Sequence, residues 1–451
     1  MTFFRMLLFP LALFFLAGQA AAFETAFWAW QRNEPPNQSE LAQLSAQSVR
    51  TLYWHVGDLE NADGSWRWKS RFRLPVLPGF EVVPVLRLES RARAPFTSES
   101  MGSLGGLVSA VVGGGAKLQL DYDCPDRLLP DYAKALRAIH KIVPHLSSTA
   151  LPGWINHPSA LEELGKSVDE LLPMFYDFEP DPMVPGAAPV PVIVPDKMQN
   201  WLRQWNHCRT PWRIGLPNFT RLTIYDPDGK PRGNLREWTW DAVVLNDALT
   251  LVRPTQLGVT LFRARGATRV ANTRLREGQL LAARWPDRAA LAGAMTAARG
   301  TSARGLVIFR LPDATAASGW SSRQLQHLED RAQLTLKWQP GAQQVTLTNS
   351  GNGDLAPARQ GYALEVEAGQ PIFREADEGD FWHVWGEVEQ EGKAHAVLIP
   401  LATRLSFSFS ALRAGASLQS GLIQLAPGAD FTHARFRILN SPQIEWKPVV
   451  E

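Results

Sequence analysis

The sequence predicts an α/β protein in which a (β/α)8 TIM-like barrel is followed by a C-terminal β-sandwich. The first observation is that short apolar segments alternate with helical segments across residues 24–312, as in parallel strands joined by crossover helices. The second is that, after Ala332, short segments of alternating polarity follow one another, separated by turn residues and with few helices between them. That second pattern is typical of an antiparallel sandwich.

Eight barrel strands are predicted, which is the number that the barrel fold requires. They are Ala26–Gln31, Val49–Val56, Val82–Glu89, Lys117–Asp123, Leu146–Leu151, Leu172–Phe178, Trp212–Phe219 and Gly305–Leu311. The helical stretches between them include Leu128–Ile142, Ala160–Leu171 and Lys197–Trp205. A doubly wound sheet is the alternative, but it would prefer a Gly-rich phosphate-binding loop after its first strand, and residues 30–33 do not supply one.

The chain divides into four predicted parts. These are a signal peptide at 1–22, the barrel at 23–312, a linker of small and polar residues at 313–323, and the sandwich at 324–451. Two long insertions interrupt the barrel pattern: a proline-rich loop at 180–195 and a segment at 220–285 that contains β-like runs of its own. Long loops of this kind usually emerge near the mouth of a barrel, where they carry function.

The N-terminal residues predict export from the cytoplasm. Arg5 supplies a positive charge, residues 6–17 form an apolar stretch, and Ala20–Ala22 is a small-residue cleavage site. The apolar stretch is too short to span a bilayer, and no later apolar run approaches the ~18 residues that a spanning helix needs, so no transmembrane segment is predicted. We therefore expect cleavage after Ala22 and a protein that works in the periplasm or outside the cell.

Composition argues against several classes of partner. Lys and Arg number 46 and Asp and Glu number 44, for a formal net charge of +2, and no Lys/Arg-rich run occurs, so no nucleic-acid partner is expected. The two cysteines and nine scattered histidines form no metal-binding motif, so neither a metal nor another cofactor is predicted. The 17 tryptophans are an unusually high count, which fits either core packing or stacking on sugars.

The fourth predicted strand carries the strongest candidate site. Its alternation places apolar residues on one face and Asp121 and Asp123 on the other. Because the helix-facing side of a barrel strand is apolar, both aspartates are predicted to point inward at the C-terminal end, where active sites of this fold lie. By the same argument the third strand presents Arg87 and Glu89, and the eighth strand presents Arg310. Such a cluster is either a functional site or an ion-pair network that fixes the barrel register.

Several segments of the chain resemble a known family. They are 118–125 (Leu-Gln-Leu-Asp-Tyr-Asp-Cys-Pro), Tyr132, Leu136, 146–154 and 309–312. Over roughly residues 24–312 the chain resembles an exported bacterial family known only as domain of unknown function 3142, which is similar to glycoside-hydrolase barrels. The resemblance implies a barrel and a link to carbohydrate. It implies no particular activity, because the family has no established one.

A weaker similarity is to chitinase-like barrels, whose fourth strand carries a D-x-x-D-x-D-x-E motif. Asp121 and Asp123 match the D-x-D part of that motif. The position of the first Asp is Leu118 here, and the position of the catalytic Glu is Pro125. The similarity therefore does not extend to the mechanism of those enzymes.

The leading hypothesis is a secreted glycoside-hydrolase-like protein that acts on a poly- or oligosaccharide by carboxylate acid/base catalysis. Asp123, nearest the mouth, is the candidate general acid/base, and Asp121 lies deeper and tunes it, because two close carboxylates raise one pKa. Glu89 or Asp177 is the candidate second carboxylate. The candidate substrate-binding residues are Trp30, Trp54, Trp154, Tyr176, Asn218, Arg87 and Arg310.

Two other hypotheses stay open at this point. A non-catalytic carbohydrate-binding or scaffold protein of the cell envelope is favoured by Pro125, where a catalytic Glu would stand, and by Asn218, where many retaining glycosidases carry an acid. In a third reading the sandwich docks another protein. His55 is expected to pair with a neighbouring carboxylate rather than to act as a base.

We expect Cys124 and Cys208 not to form a disulfide. Cys124 follows the C-terminal end of the fourth strand, whereas Cys208 precedes the seventh strand at the opposite end of the barrel. A strand of five residues spans roughly 16 Å, and a disulfide needs its two Cα atoms within about 7 Å. Mass spectrometry of the non-reduced protein would contradict this prediction, and weaken the barrel with it, by detecting a peptide that joins the two cysteines.

Overall fold

The computed structural model describes residues 23–179, 181, 188–442 and 444–450. The predicted signal peptide and its cleavage site lie outside these residues and stay predictions, and so does part of the predicted proline-rich loop. Within the described part of the chain, no helix combines the length and the apolar character needed to cross a lipid bilayer.

The first two thirds of the chain mix strands and helices, as predicted. The strands are β1 (Glu24–Ala29), β2 (Thr51–Ala62), β3 (Ser65–Arg71), β4 (Glu81–Ser90), β5 (Lys117–Asp121), β6 (His145–Ala150), β7 (Glu170–Pro173), β8 (Ile214–Pro217), β9 (Arg221–Tyr225), β10 (Pro231–Asn234), β11 (Leu249–Gln256), β12 (Val259–Ala264), β13 (Thr268–Val270), β14 (Thr273–Leu275), β15 (Leu280–Arg284) and β16 (Gly305–Phe309). The helices are α1 (Gln38–Ala46), α2 (Ser98–Val112), α3 (Leu129–His140), α4 (Pro158–Gly165), α5 (Pro195–Trp205), α6 (Asp241–Val244), α7 (Arg288–Arg299) and α8 (Ser322–Gln326). Short 3-10 helices lie at Asp126–Leu128, Pro152–Asn156 and Ile399–Leu401.

Eight of these strands form a parallel barrel. Their order around the ring is β7-β6-β5-β4-β2-β1-β16-β8, and every neighbouring pair is parallel. The ring closes between β7 and β8 through the parallel bridges Leu171↔Trp212 and Met174↔Gly215. Helices α1 to α5 and α7 lie between consecutive barrel strands, whereas β3 takes the place of a helix between β2 and β4. The prediction of a TIM-like barrel is therefore confirmed.

Side chains of the barrel strands alternate between two apolar layers. Trp28, Tyr53 and Val85 pack inside the barrel, whereas Leu86 and Leu120 pack outward among the helices. Truncating such a buried leucine to alanine typically costs about 2–5 kcal/mol of stability, so the outer layer strongly specifies which face of each strand turns inward. This alternation decides which polar side chains reach the mouth.

The second half of β2 extends past β1, stays paired with β4, and forms a hairpin with β3. A β-bulge interrupts the register of β2 with β4 between His55 and Gly57. Gly57 has a φ of 154°, and a Cβ at this position would lie 2.3 Å from the carbonyl oxygen of Ser70. Only glycine allows β3 to approach β2 this closely.

The segment between β8 and α7 folds as a separate small sheet. Its strand order is β10-β9-β15-β12-β11, and β13 and β14 form an additional hairpin. Leu222, Phe262 and Leu281 contribute to its apolar core. The β-like runs predicted in this insertion are therefore the strands of an antiparallel sheet attached to the barrel.

The C-terminal part is built mainly from short strands. They are β17 (Leu334–Gln339), β18 (Gln344–Asn349), β19 (Tyr362–Glu367), β20 (Phe373–Ala376), β21 (His383–Gln390), β22 (Lys393–Val397), β23 (Arg404–Phe409), β24 (Ser417–Gln419), β25 (Ile423–Leu425), β26 (Arg435–Leu439) and β27 (Lys447–Pro448). Sheets β17-β18-β24 and β22-β21-β23-β19-β26-β27 share a core that includes Leu336, Leu364 and Phe407. Their antiparallel pairing confirms the predicted β-domain.

Both cysteines are free thiols, as predicted. Cys124 is buried just after β5, and Cys208 is half-buried just after α5, where the chain approaches the opposite end of the barrel. The two positions are separated by the length of a barrel strand, so the barrel keeps the thiols apart.

We expect residues 324–451, expressed alone, to fold into a soluble, β-rich domain. The buried apolar residues of this part form a core of their own, from Ala332 to Ile438, and a domain of this size can bury enough surface to be stable alone. Circular dichroism and thermal unfolding of the fragment measure this directly. The fragment 23–323 is the matched counterpart, and a finding that both fragments are unfolded would mean that the barrel and the β-domain form one inseparable unit.

Candidate functional site

A cleft of about 640 Å³ opens at the C-terminal end of the barrel strands. Its lining combines carboxylates, aromatic rings and one arginine. The lining residues are Trp30, Arg87, Asp121, Asp123, Asp126, Leu151, Pro152, Gly153, Met174, Tyr176, Asp177, Phe178, Glu179, Trp201 and Phe309. In enzymes with this fold the active site lies at the same end of the barrel.

Asp121 is the last residue of β5, and its side chain is buried at the base of the cleft. The leucines of β5 pack outward, so the alternation turns Asp121 into the barrel. Thr149 on β6 donates its hydroxyl hydrogen to Asp121 Oδ1 at 2.7 Å, and Arg87 Nε lies 3.9 Å from Oδ2. Burial, together with the negative charge of Asp123, raises the pKa of Asp121 to about 6.

Asp123 stands two residues further along the chain, and its side chain is exposed at the mouth of the cleft. Within the described part of the chain, no group donates a hydrogen bond to this carboxylate or forms an ion pair with it. Desolvation by the surrounding cleft raises the pKa of Asp123, and the positive charge of Arg87 offsets only part of this effect. Asp123 is therefore a carboxylate that a ligand can reach, next to a buried one.

Arg87 and Glu89 lie at the end of β4, but only Arg87 lines the cleft. Lys69 Nζ donates to Glu89 Oε2 at 2.5 Å, and Arg87 Nη1 lies 3.3 Å from Glu89 Oε1. Because each of its oxygens faces a cation, Glu89 is an ion-paired counter-charge. Its position does not favour the predicted role as a second catalytic carboxylate.

Asp58 belongs to the same cluster of charges, although the sequence pattern did not predict it. The register of the barrel places Asp58 beside Arg87, and Arg87 beside Asp121. Asp58 accepts a hydrogen bond from Ser70 Oγ, and one of its oxygens lies 3.4 Å from His55 Nε2. Burial opposes its ionisation, but the contacts with His55 and Ser70 outweigh that effect and lower the pKa of Asp58. The β-bulge after His55 shifts the alternation, which is why no regular pattern reveals Asp58.

Aromatic rings form one side of the cleft. Trp30 stacks on His55, with ring centroids 4.0 Å apart, and meets Phe309 edge-on at 5.4 Å. Tyr176 stacks on Phe309 at 5.8 Å. Trp30 and Tyr176 are only half-buried, so part of each ring remains available to a ligand. Both residues thus lie where the sequence analysis placed them.

The remaining carboxylates of the cleft are paired with basic side chains. Asp126 lies 3.0 Å from His157, Asp177 lies 2.5 Å from Arg221, and Glu179 lies 2.5 Å from Lys197. Burial raises the pKa of Asp177, and the pairing with Arg221 offsets only part of that rise. Among the described residues, no group of three or more His, Cys, Asp or Glu side chains is arranged to hold a metal ion.

The predicted positions of Trp54 and Trp154 in a sugar-binding groove are wrong. Both side chains are fully buried in the layer between the barrel strands and the helices. Trp54 lies on the outward face of β2, and the indole N–H of Trp154 donates to the carbonyl oxygen of Cys124 at 3.2 Å. Both rings are core residues that a ligand in the cleft does not reach.

The predicted positions of Asn218 and Arg310 in the cleft are also wrong. The Asn218 side-chain amide is fully buried. Its nitrogen donates to the backbone carbonyl oxygens of Trp320 at 3.0 Å and Arg310 at 3.2 Å, and its oxygen accepts from the backbone N–H of Trp320 at 2.7 Å. On β16 the inward face carries Phe309, so the next side chain, Arg310, points away and pairs with Asp313. Asn218 and Arg310 therefore fix the connection that follows the barrel.

A buried arginine holds the outer wall of the cleft. Arg284, at the end of β15, donates to the carbonyl oxygen of Val190 at 2.8 Å and to Thr223 Oγ1 at 2.7 Å, and it forms an ion pair with Asp181. These contacts connect the loop after β7, which carries the cleft residues 177–179, to the inserted sheet. The two insertions predicted near the mouth therefore meet there.

Comparison with known proteins yields one family. The model of the family described as "Domain of unknown function (DUF3142)" matches residues 81–234. This match confirms the predicted resemblance over the segment from β4 to β10, which contains Asp121 and Asp123. No curated protein sequence matches the chain.

Solved structures with a similar fold include several carbohydrate-active enzymes. A chitinase from Chromobacterium violaceum is 14% identical with a TM-score of 0.44, over 68% of this chain and 99% of that one. A glycoside hydrolase family 18 N-acetylglucosaminidase from Paenibacillus barengoltzii is 11% identical with a TM-score of 0.42, over 64% and 95%. The spore cortex-lytic enzyme SleL of Bacillus cereus is 13% identical with a TM-score of 0.42, over 68% and 73%. Because these TM-scores are below 0.5, the assignment of a barrel rests on the strand pairing.

We expect the Asp121→Asn variant to gain stability over the wild type as the pH rises. The folded state keeps the Asp121 proton up to a pH of about 6, whereas aspartate in an unfolded chain loses its proton near pH ~4. Between these values the wild type loses unfolding free energy, on the order of 2–3 kcal/mol, and a neutral Asn does not. Urea denaturation of both proteins at about pH 4 and about pH 7.5 measures the difference.

Asp228→Asn, which removes a carboxylate from the exposed turn between β9 and β10, is the matched control for the loss of one negative charge. An advantage of Asp121→Asn that is the same at both pH values would contradict the raised pKa of Asp121. Direct titration of the Asp121 carboxyl carbon by NMR provides an independent check.

Proposed function

We propose that the protein is a glycoside-hydrolase-like enzyme that acts on a poly- or oligosaccharide in the cleft at the mouth of the barrel. The observation that carries the proposal is the pair of neighbouring aspartates, of which Asp121 is buried and Asp123 is accessible and unpaired among the described residues. Both carboxyl groups have raised pKa values. Carboxylates whose environments raise the pKa supply the acid of glycoside cleavage.

Asp123 is the proposed general acid/base. A general acid must hold its proton near the working pH and must reach the oxygen of the leaving group. Burial raises the pKa of Asp123, which favours the protonated form that the first requirement calls for, and its exposure in the cleft fits the second. After the proton has moved to the leaving oxygen, Asp123 becomes negatively charged, and the guanidinium of Arg87 stabilises that charge.

Asp121 is the proposed positioning residue that tunes Asp123. Asp121 and Asp123 are close enough for the charge of Asp123 to raise the pKa of Asp121, and because such repulsion is mutual, a charge on Asp121 also disfavours a charge on Asp123. Thr149 and Arg87 hold the Asp121 carboxylate in place from the two neighbouring strands. Asp121 is itself too deeply buried to be the group that meets the substrate first.

Asp177 is the better candidate for the second carboxylate, because it lines the cleft and Glu89 does not. Arg221 sits 2.5 Å from Asp177 and favours its charged form, which a base or a nucleophile requires. Asp177 follows β7 and Asp123 follows β5, so only strand β6 separates the two strands that carry them to the cleft.

The aromatic wall supplies binding surface for the sugar rings. Trp30 and Tyr176 are the rings with exposed faces, and Trp201 and Phe178 line the cleft beyond them. We further propose that residues 1–22 direct export, which would expose the cleft to polysaccharides of the cell envelope or of the surroundings. This follows from the sequence of the N-terminal segment alone.

A non-catalytic carbohydrate-binding protein is the second candidate function. The observation that favours it is that Asp126, Asp177 and Glu179 each have a basic side chain within 3.0 Å. In that case Asp123 would accept hydrogen bonds from sugar hydroxyls instead of transferring a proton. The same cleft then serves recognition alone.

We expect Asp123→Asn to lower turnover of the substrate by about 10²–10⁴-fold, the usual contribution of a general acid/base. Thermal stability should stay the same or rise, because the change removes one of two close negative charges. The measurement is reducing-sugar release from a panel of bacterial exopolysaccharides and peptidoglycan, together with thermal unfolding of the variant and the wild type.

Asp126→Asn is the matched control, since Asp126 also lines the cleft but is paired with His157, and it should keep most of the turnover. Trp30→Ala should raise KM more than it lowers kcat. Binding without turnover by the wild type would favour the non-catalytic function. A loss of 3–5 kcal/mol of stability in Asp123→Asn, the usual cost of breaking a buried charge pair, would assign Asp123 a structural role instead.

A further inference from the structure

A second cavity, of about 330 Å³, lies where the inserted sheet, the segment after β16 and the β-domain meet. Trp240 and Trp285 reach it from the insertion, Trp320 from the segment after β16, and residues 356–359 from the β-domain. Its volume is at the lower end of the range of small-molecule sites, about 300–1,000 Å³. None of these residues lines the cleft.

The tryptophans form a continuous aromatic wall in this cavity. The ring centroids of Trp240 and Trp285 are 5.4 Å apart, and those of Trp285 and Trp320 are 5.1 Å apart. Trp238 packs edge-on against Trp240 at 4.8 Å and supports it. Trp240 and Trp285 are only half-buried, so packing within the protein leaves part of both rings uncovered.

The wall also contains hydrogen-bond donors without acceptors. The indole N–H groups of Trp240 and Trp285 are buried and have no acceptor among the described residues. The indole N–H of Trp320, by contrast, donates to the carbonyl oxygen of Pro286 at 2.8 Å. A buried donor without a partner is destabilising, so two such donors beside one cavity favour a ligand that brings acceptor oxygens.

Some charged side chains around the cavity already have partners within the protein, whereas one does not. Asp354 accepts hydrogen bonds from the backbone N–H groups of Ser321 at 2.7 Å and Ala414 at 2.8 Å, and Asp287 caps α7 by accepting from the Ala290 N–H at 2.8 Å. Arg359, in contrast, is exposed and has no hydrogen bond or ion pair with any described residue. Arg288, the other arginine of the lining, donates to the carbonyl oxygen of Asp330 at 3.1 Å, so Arg359 is the charged side chain of the cavity that stays free to bind a ligand.

We propose that this cavity is a second, non-catalytic carbohydrate-binding site that takes an acidic sugar unit. The tryptophan wall stacks on the C–H face of the sugar ring, the two indole N–H groups and the rim supply donors for its oxygens, and Arg359 pairs with its carboxylate. This combination of a flat apolar face, oxygen acceptors and one negative charge is the chemistry of a uronate. The inference does not depend on catalysis in the cleft.

The test is to titrate the full-length protein with alginate oligosaccharides, which consist of uronate units, and with neutral malto- and chito-oligosaccharides. Binding is followed by calorimetry and by tryptophan fluorescence. We expect the uronate oligosaccharides to bind more tightly than the neutral ones. Trp240→Ala and Arg359→Ala should each weaken that binding about tenfold, because Trp and Arg are among the residue types that most often dominate binding.

Two variants serve as controls. Trp382→Ala removes an exposed tryptophan of the β-domain, 41% accessible, that lines neither cavity, and Asp123→Asn changes the cleft alone. Trp382→Ala should bind the uronates like the wild type, and Asp123→Asn should keep the part of the binding that the second cavity supplies. Arg359→Ala keeps the test decisive if Trp240→Ala is unstable, because the Arg359 side chain has no partner among the described residues to lose.

Two outcomes would overturn the second site. One is wild-type affinity in both Trp240→Ala and Arg359→Ala, and the other is no binding of any of the three oligosaccharides by the wild type. In either case the tryptophan wall would serve only for packing between domains. Loss of binding in Asp123→Asn with normal binding in the cavity variants would place the saccharide in the cleft alone, which supports the proposed function and overturns this inference. Equal affinity for neutral and acidic oligosaccharides would overturn the role of Arg359.

Discussion

The guanidinium of Arg87 is the counter-charge on which the mouth of the barrel depends. The register of three adjacent strands places it between Asp58 and Asp121, and its Nη1 lies 3.3 Å from Glu89. Without a cation among them, buried carboxylates would each cost several kcal/mol of stability. With Arg87 present the charges divide unequally, because the pKa of Asp58 is lowered whereas the pKa of Asp121 is raised. Asp58 and Asp121 are buried, so Asp123 is the carboxylate of this group that a ligand can reach.

The barrel supplies the charged centre, whereas the insertions supply most of the surface around it. Strand β15 connects the two cavities of the molecule: Arg284 fixes the loop that borders the cleft, and the next residue, Trp285, lines the aromatic cavity. A rigid barrel with function carried on long connecting segments is the usual division of roles in this fold. Here a single inserted sheet serves both sites.

Regular alternation is what makes a barrel site predictable from its sequence. In β4 and β5 it is unbroken, and the inward direction of Arg87 and Asp121 follows from it. It fails at β2, where the bulge turns Asp58 inward out of phase, and at β16, where both faces are apolar and nothing marks Phe309 as the inward residue. The buried Trp154 could not be told from a sugar-binding ring, because an indole packs equally well in a core and on a ligand.

Gly57 has no side chain, yet the hydrogen bond that Ser70 donates to Asp58 at the mouth depends on it. A Cβ at this position would lie 2.3 Å from the carbonyl oxygen of Ser70, so any larger residue pushes β3 away from β2. Ser70 is the hydroxyl donor to Asp58, and Asp58 shares Arg87 with Asp121. In a random mutagenesis screen, position 57 would score like one of the charged residues of the mouth, although its contribution is purely steric.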